Sequence, residues 1–133
     1  MMMTSPYDKY KQSSVQTSTP AQLLIMLYDG AIRFVRGAIG SIELKDYSKT
    51  NEFMSKAQAI ISELRATLNH SYEISGQLDK LYEYMNYLLI DANIKKESKP
   101  AEEALGYLLE LRESWMQAAR TDPRGQELKN ANG

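Results

Sequence analysis

The 133 residues suffice for one domain with a real core and are too few for two comfortable ones. With 16 Lys+Arg against 17 Asp+Glu, a formal net charge of -1, the chain has neither the basic excess nor the basic face of a nucleic-acid binder, and no polybasic block suits an anionic membrane. The absence of cysteine removes disulfides, thiolate metal sites and cysteine nucleophiles together and agrees with a reducing cytoplasm.

The first residues, MMMTSPYDKYKQSS, lack the basic region and long apolar run of a secretion signal. Residues 1–18 are polar, rich in Ser, Thr and Gln, and carry Tyr7 and Tyr10, which one helical turn would bring to the same side. We read this stretch as a flexible N-terminal segment able to form a cap or short helix. A helical bundle domain over 19–120 and a flexible tail over 121–133 follow it.

The first predicted helix runs near 20–44. Thr19 suits its N-cap, Pro20 its first turn and Gln22 the reciprocal position of a capping box. The longest uninterrupted apolar run in the chain, 23–28, lies in this helix and falls far short of the ~20 residues that span a bilayer. The apolar side chains of this helix spread over roughly 200° at about 100° of rotation per residue, too wide for one-sided packing. Gly30, Gly37 and Ser41 fall near one line, and small side chains on a line admit a close neighbour that offsets the interior-glycine cost of about 1 kcal/mol. We assign Gly30 and Gly37 to close helix packing.

The second predicted helix, 47–69, is an ordinary amphipathic one, with Phe53, Ala57, Ile60, Ile61, Leu64 and Leu68 in a single arc of roughly 100°. The third, 75–96, carries two stripes. Leu78, Leu81, Tyr82, Met85, Leu88, Leu89 and Ala92 make a core face, and Tyr87, Ile90 and Ile94 lie opposite, flanked by Tyr84. The fourth, 100–120, has Pro100 in its first turn and an apolar arc of Ala104, Leu105, Leu108, Leu109, Leu111, Trp115, Met116 and Ala119, with Glu103, Glu110 and Gln117 opposite. No window alternates like a strand, and the short links predict an all-α, antiparallel four-helix bundle. Four such faces exceed what one small core can hold, so apolar surface on the first and third helices is expected to stay outside and mark a partner site. Alternatively, the first helix is central and packed on two sides.

Catalytic and metal chemistry find little here. A di-metal carboxylate bundle needs Glu-x-x-His pairs, and the one histidine, His70, has Thr67 three residues before it and sits at a predicted helix end. There is no glycine-rich phosphate loop, nucleophile elbow or histidine triad. The carboxylates read as solvated helix surface beside basic residues, such as Glu63 near Arg65 and Glu110 near Arg112, with Asp29 harder to place. We expect no enzyme, no cofactor, no metal, no nucleic-acid partner and no membrane insertion.

TPAQLLIMLYDGAIRFVRGAI (19–39) resembles the first long helix of the flagellin-specific flagellar secretion chaperones, the FliS family. LYEYMNYLLIDANIKK (81–96) resembles that family's second signature and LLELRESW (108–115) its last helix, while Tyr7 and Tyr10 fall where the family has N-terminal aromatics. The resemblance implies a cytoplasmic helical bundle that binds the C-terminal helical segment of flagellin, prevents premature polymerisation and delivers the subunit to the flagellar type III export apparatus. It also implies an N-terminal segment that covers the empty groove and a loaded complex that docks on the cytoplasmic domain of the membrane export gate. On that basis the expected client contacts are Ile25, Ile32 and Ile39 on the first helix and Tyr84, Tyr87, Ile90 and Ile94 on the third. Tyr7 and Tyr10 are candidates for the cap or for gate docking. The alternative from the residues alone is a self-associating interaction module without a secretion role, with a homodimer as the client-free state.

Overall fold

A computed structural model describes residues 19–120 and Ala131 of the chain. The candidate cap residues Tyr7 and Tyr10, and the expected tail apart from Ala131, lie outside the described residues.

Four helices follow one another: α1 (Pro20–Glu43), α2 (Tyr47–Ala66), α3 (Glu73–Lys95) and α4 (Ser98–Ala118). Local chemistry sets their ends. At the start of α1 the Gln22 amide donates to Thr19 Oγ1 at 3.1 Å, and the Thr19 amide donates to Gln22 Oε1 at 2.8 Å. That closes the expected capping box, with Pro20 in the first turn. Lys45 turns the chain in the left-handed region (φ 59), and Asp46 caps α2 by accepting from the Lys49 amide at 3.4 Å. Lys96, also left-handed (φ 54), ends α3. Its ammonium donates to Asn93 and Asn51, each at 2.6 Å. Pro100 lies in the first turn of α4, where its missing N–H costs nothing.

Each helix packs on its neighbour in the chain, and α4 closes the ring against α1, so α1 and α3 lie across a diagonal, as do α2 and α4. Short links make the neighbours antiparallel. One face of every helix fills the centre: Leu27, Tyr28, Ala31 and Val35 from α1, Met54, Ile60, Ile61 and Leu64 from α2, Tyr82, Met85 and Leu89 from α3, Leu108 and Trp115 from α4. The hydroxyls carried inside are paired, as burial favours, whereas Trp115 Nε1 and Asn86 Oδ1 are buried with no hydrogen-bond partner among the described residues. The Tyr28 and Tyr82 hydroxyls hydrogen-bond each other across the α1–α3 diagonal. Burial pushes the Tyr28 hydroxyl up to about 12, although its bond to Tyr82 works the other way, and burial raises Tyr82 well above the ordinary value. Ser41 and Thr50 pair their hydroxyls at 2.6 Å between α1 and α2. At the end of the bundle that holds the α2–α3 connection, Ala131 is buried and its carbonyl accepts from the Asn69 amide at 2.6 Å.

The wide apolar arc of α1 is taken up by packing on two sides, against α2 and α4, with Ile25, Phe34 and Ile39 half-buried at its edges. Gly37 marks one of those seams: a Cβ there would stand 3.0 Å from the ring of Phe53 on α2. Gly30 is buried on the same helix. The expectation of open apolar surface therefore fails for α1 and holds for α3.

Candidate functional site

Among the described residues, Leu44, Tyr47 and Leu109 are exposed singly, and the outward face of α3 carries exposed apolar side chains as a set. Tyr87 is 59% exposed, Ile90 45% and Ile94 77%. They recur three and four apart, so they form one stripe along the helix. Its position follows from the other side of α3, where Leu78, Tyr82, Met85, Leu89 and Ala92 are consumed by the core. Isolated exposed hydrophobics need no explanation, but a contiguous stripe suggests a partner.

Aromatic rings broaden the stripe toward α4. Tyr84 and Tyr87 stack with centroids 6.1 Å apart and planes at 20°. Tyr84 also meets Tyr107 of α4 edge-on at 6.2 Å and 61°. Both hydroxyls donate to one carboxylate oxygen, Glu103 Oε2, from Tyr84 at 2.9 Å and from Tyr107 at 3.1 Å. The bond to Glu103 is also the leading reason that both phenols are raised above their ordinary value. On the α2 side, Arg65 bridges Asp79 at 2.6 Å and Glu83 at 3.0 Å. Asn86 donates to Ser62 at 3.0 Å along the same seam. The stripe thus has a fixed aromatic margin on one flank and an ion-paired margin on the other.

The α1 residues expected as further client contacts do not adjoin it. Ile32 is buried at 5% exposure, while Ile25 and Ile39 are half-buried against the core. Ile25, Asp29 and Ile32 share a helix face by their four- and three-residue spacing, and Asp29 pairs with Arg112 of α4 at 2.5 Å. That face is therefore the α1–α4 seam, and α4 separates it from the α3 stripe. Asp29, hard to place from sequence, is the anchor of an inter-helix ion pair. Arg65 and Arg112, read from sequence only as basic neighbours of the solvated carboxylates Glu63 and Glu110, make their ion pairs between helices instead.

Sequence reasoning missed Tyr107 and the role of Glu103. The signal was their i,i+4 spacing on α4, but which neighbour they face depends on the rotation of α4 about its axis, which the pattern leaves open. His70 is exposed in the α2–α3 connection. Among the described residues no cluster of His, Cys, Asp or Glu could hold a metal ion, and no helix is long and apolar enough to cross a membrane.

A family model described as flagellar protein FliS matches residues 3–122. The chain belongs to the FliS family. Relatives agree along nearly the whole length. The chain is 41% identical over 122 residues to the flagellar secretion chaperone FliS of Bacillus subtilis, covering 92% of each chain. It is 36% identical over 109 residues to the flagellar secretion chaperone FliS of Salmonella typhimurium, covering 80% of this chain and 81% of that one. Identity to the flagellar secretion chaperone FliSB of Pseudomonas aeruginosa is 30% over 113 residues, or 80% and 90% of the two chains. All three helical stretches that carried the resemblance, 19–39, 81–96 and 108–115, fall inside the span the FliS family model matches.

Proposed function

We propose that this FliS-family chain is a cytoplasmic, non-enzymatic flagellar export chaperone that holds the C-terminal helical segment of flagellin. In that role it blocks premature polymerisation and presents the subunit to the type III export apparatus. The exposed stripe of Tyr87, Ile90 and Ile94, with Tyr84 beside it, carries this reading. It gives a client helix the apolar surface needed for helix-in-groove recognition. A client of several amphipathic helices could start on α3, cross α4 at the exposed Leu109 and reach the half-buried edge of Ile25 and Ile39 on α1, with Ile32 beneath. Wrapping of this kind suits a disordered segment, which gains affinity by covering much surface while losing ordering entropy. Tyr7 and Tyr10 would cover the empty surface and later contribute to docking on the export gate.

The test is a titration of the full-length protein with a flagellin C-terminal segment, followed by circular dichroism and light scattering. A 1:1 complex with a gain of helix is expected, and Ile90→Asp should weaken it while leaving the helicity of the free protein unchanged. Concentration-dependent dimerisation without any response to the segment would favour the self-associating module instead.

A further inference from the structure

The aromatic margin of the α3 stripe has a chemistry that the apolar residues alone do not explain. Both tyrosine hydroxyls go to Oε2 of Glu103, and among the described residues no donor reaches Oε1. Glu103 is exposed and, like Glu102, Glu110 and Glu113 of the same helix, has no salt bridge among the described residues; what sets it apart is the pair of tyrosine hydroxyls on one of its oxygens. A carboxylate held in place by two neutral donors keeps its charge and half its acceptor capacity for a third group, and a cation is the strongest such group. The rings around it point the same way. The Tyr84 ring stands 6.1 Å from that of Tyr87 and 6.2 Å from that of Tyr107, centroid to centroid, and aromatic faces attract ammonium and guanidinium groups.

The surrounding charge agrees. Besides Glu103, α4 carries Glu102, Glu110 and Glu113 against Lys99 and Arg112, and Arg112 is engaged with Asp29. Of the two lysines of α3, Lys95 is engaged with Asp91, and Lys80 is exposed four residues before Tyr84. A second copy of the chain docking through the same surface would bring Glu103 and Glu110 against their equivalents, which is unfavourable. A basic helix from another polypeptide meets no such repulsion.

We propose that Tyr84, Tyr87, Tyr107 and Glu103 form a seat for one Lys or Arg side chain of the helix whose apolar residues rest on Ile90 and Ile94. Tyr84 precedes Ile90 by six residues, about 9 Å along the helix axis. The partner helix therefore carries its basic residue about a turn and a half from the apolar pair that covers Ile90 and Ile94. The seat explains why a protein-binding surface carries tyrosines anchored to a carboxylate rather than more isoleucines. It gives register and selectivity where the apolar stripe gives area. This inference rests on the client-docking reading of the α3 stripe.

The experiment is calorimetric titration of the full-length chain and its variants with the flagellin C-terminal segment at low and high salt. Glu103→Gln keeps an acceptor for the tyrosines and removes the charge, and it should weaken binding about fivefold at low salt and much less at high salt. Replacing the client's Lys and Arg residues singly by Gln should identify one whose loss weakens the wild-type chaperone but not Glu103→Gln. Exchanging the charges, with Glu103→Lys in the chaperone and Glu at that client position, should restore part of the affinity, which a merely structural role for Glu103 would not do. If Ile90→Asp abolishes binding but Glu103→Gln matches the wild type at both salt concentrations, the seat is overturned and the docking reading stands. If Ile90→Asp binds normally, the docking reading falls, and the seat falls with it.

Discussion

The outward faces of α2 and α3 hold equivalent places in the ring, and they are built from opposite materials. On α2 the exposed line is Ser55, Ala59, Ser62 and Ala66, small or polar at each turn. On α3 it is Tyr87, Ile90 and Ile94. Both helices bury a full apolar face against the same core, so core construction does not require the α3 stripe. An amphipathic helix with one buried face is enough to fold, as α2 demonstrates. The second face of α3 adds nothing to the core, and an exposed apolar stripe of this kind is what the proposed docking role requires.

Adjacent residues on α3 give the sharpest test of that contrast. Leu89 is fully buried and Ile90 is 45% exposed. Leu89→Ala should cost about 2–5 kcal/mol through lost burial and the cavity left behind. Ile90→Asp should cost no more than about 1 kcal/mol, because an exposed helix position tolerates substitution. Urea denaturation of both variants measures the difference. Equal losses would mean that the two faces are not distinct and that the stripe belongs to the core.

The tyrosines divide along the same line. The Tyr28 hydroxyl is raised to about 12 by burial, whereas Tyr84 and Tyr107 are raised chiefly by their bond to Glu103 at the surface. In the unfolded chain a tyrosine loses its proton near pH 10. Between there and about 12 the unfolded state binds fewer protons than the folded one, so stability falls as pH rises. Two pKa units correspond to about 2.7 kcal/mol for Tyr28 by the top of that window. Below pH 10 its contribution is complete. Denaturation midpoints at pH 9 and pH 11.5 should show the loss; Tyr28→Phe should reduce it, and the part that remains comes from Tyr82, which burial also raises. Absorbance titration should show Tyr84 and Tyr107 ionising before the fold is lost, and Tyr28 and Tyr82 ionising only with unfolding.

Much of this architecture was legible in the residues. The capping box at Thr19 and Gln22 and the two stripes of α3 could be placed because each depends on neighbours within a turn or two. The wide arc of α1 was visible too, but whether it meant exposure or two-sided packing was not, because that depends on which helices flank it. The same reason hid the Asp29–Arg112 pair and the Tyr84–Glu103–Tyr107 cluster. Each joins positions far apart in the chain, and the rotation of α4 that brings them together comes from packing rather than from periodicity.

The smallest expected effect lies on the seam between the two faces of α3. The Asp79 carboxyl is held below its ordinary value chiefly by its hydrogen bond to Arg65. A carboxyl lowered in the folded state contributes stability above its unfolded pKa and loses it as pH falls through the folded one. The pair is substantially exposed, so water and salt screen it and the contribution is small. Thermal melts at pH 7 and pH 3 should show a slightly shallower acid decline for Asp79→Asn than for the wild type. Client affinity at neutral pH should be unchanged, because Arg65 and Asp79 tie α3 to α2 on the flank away from Tyr107. A loss of client affinity in Asp79→Asn with stability intact would extend the docking surface across the seam onto α2, and the contrast between the two outward faces would then narrow to the difference between a stripe and its border.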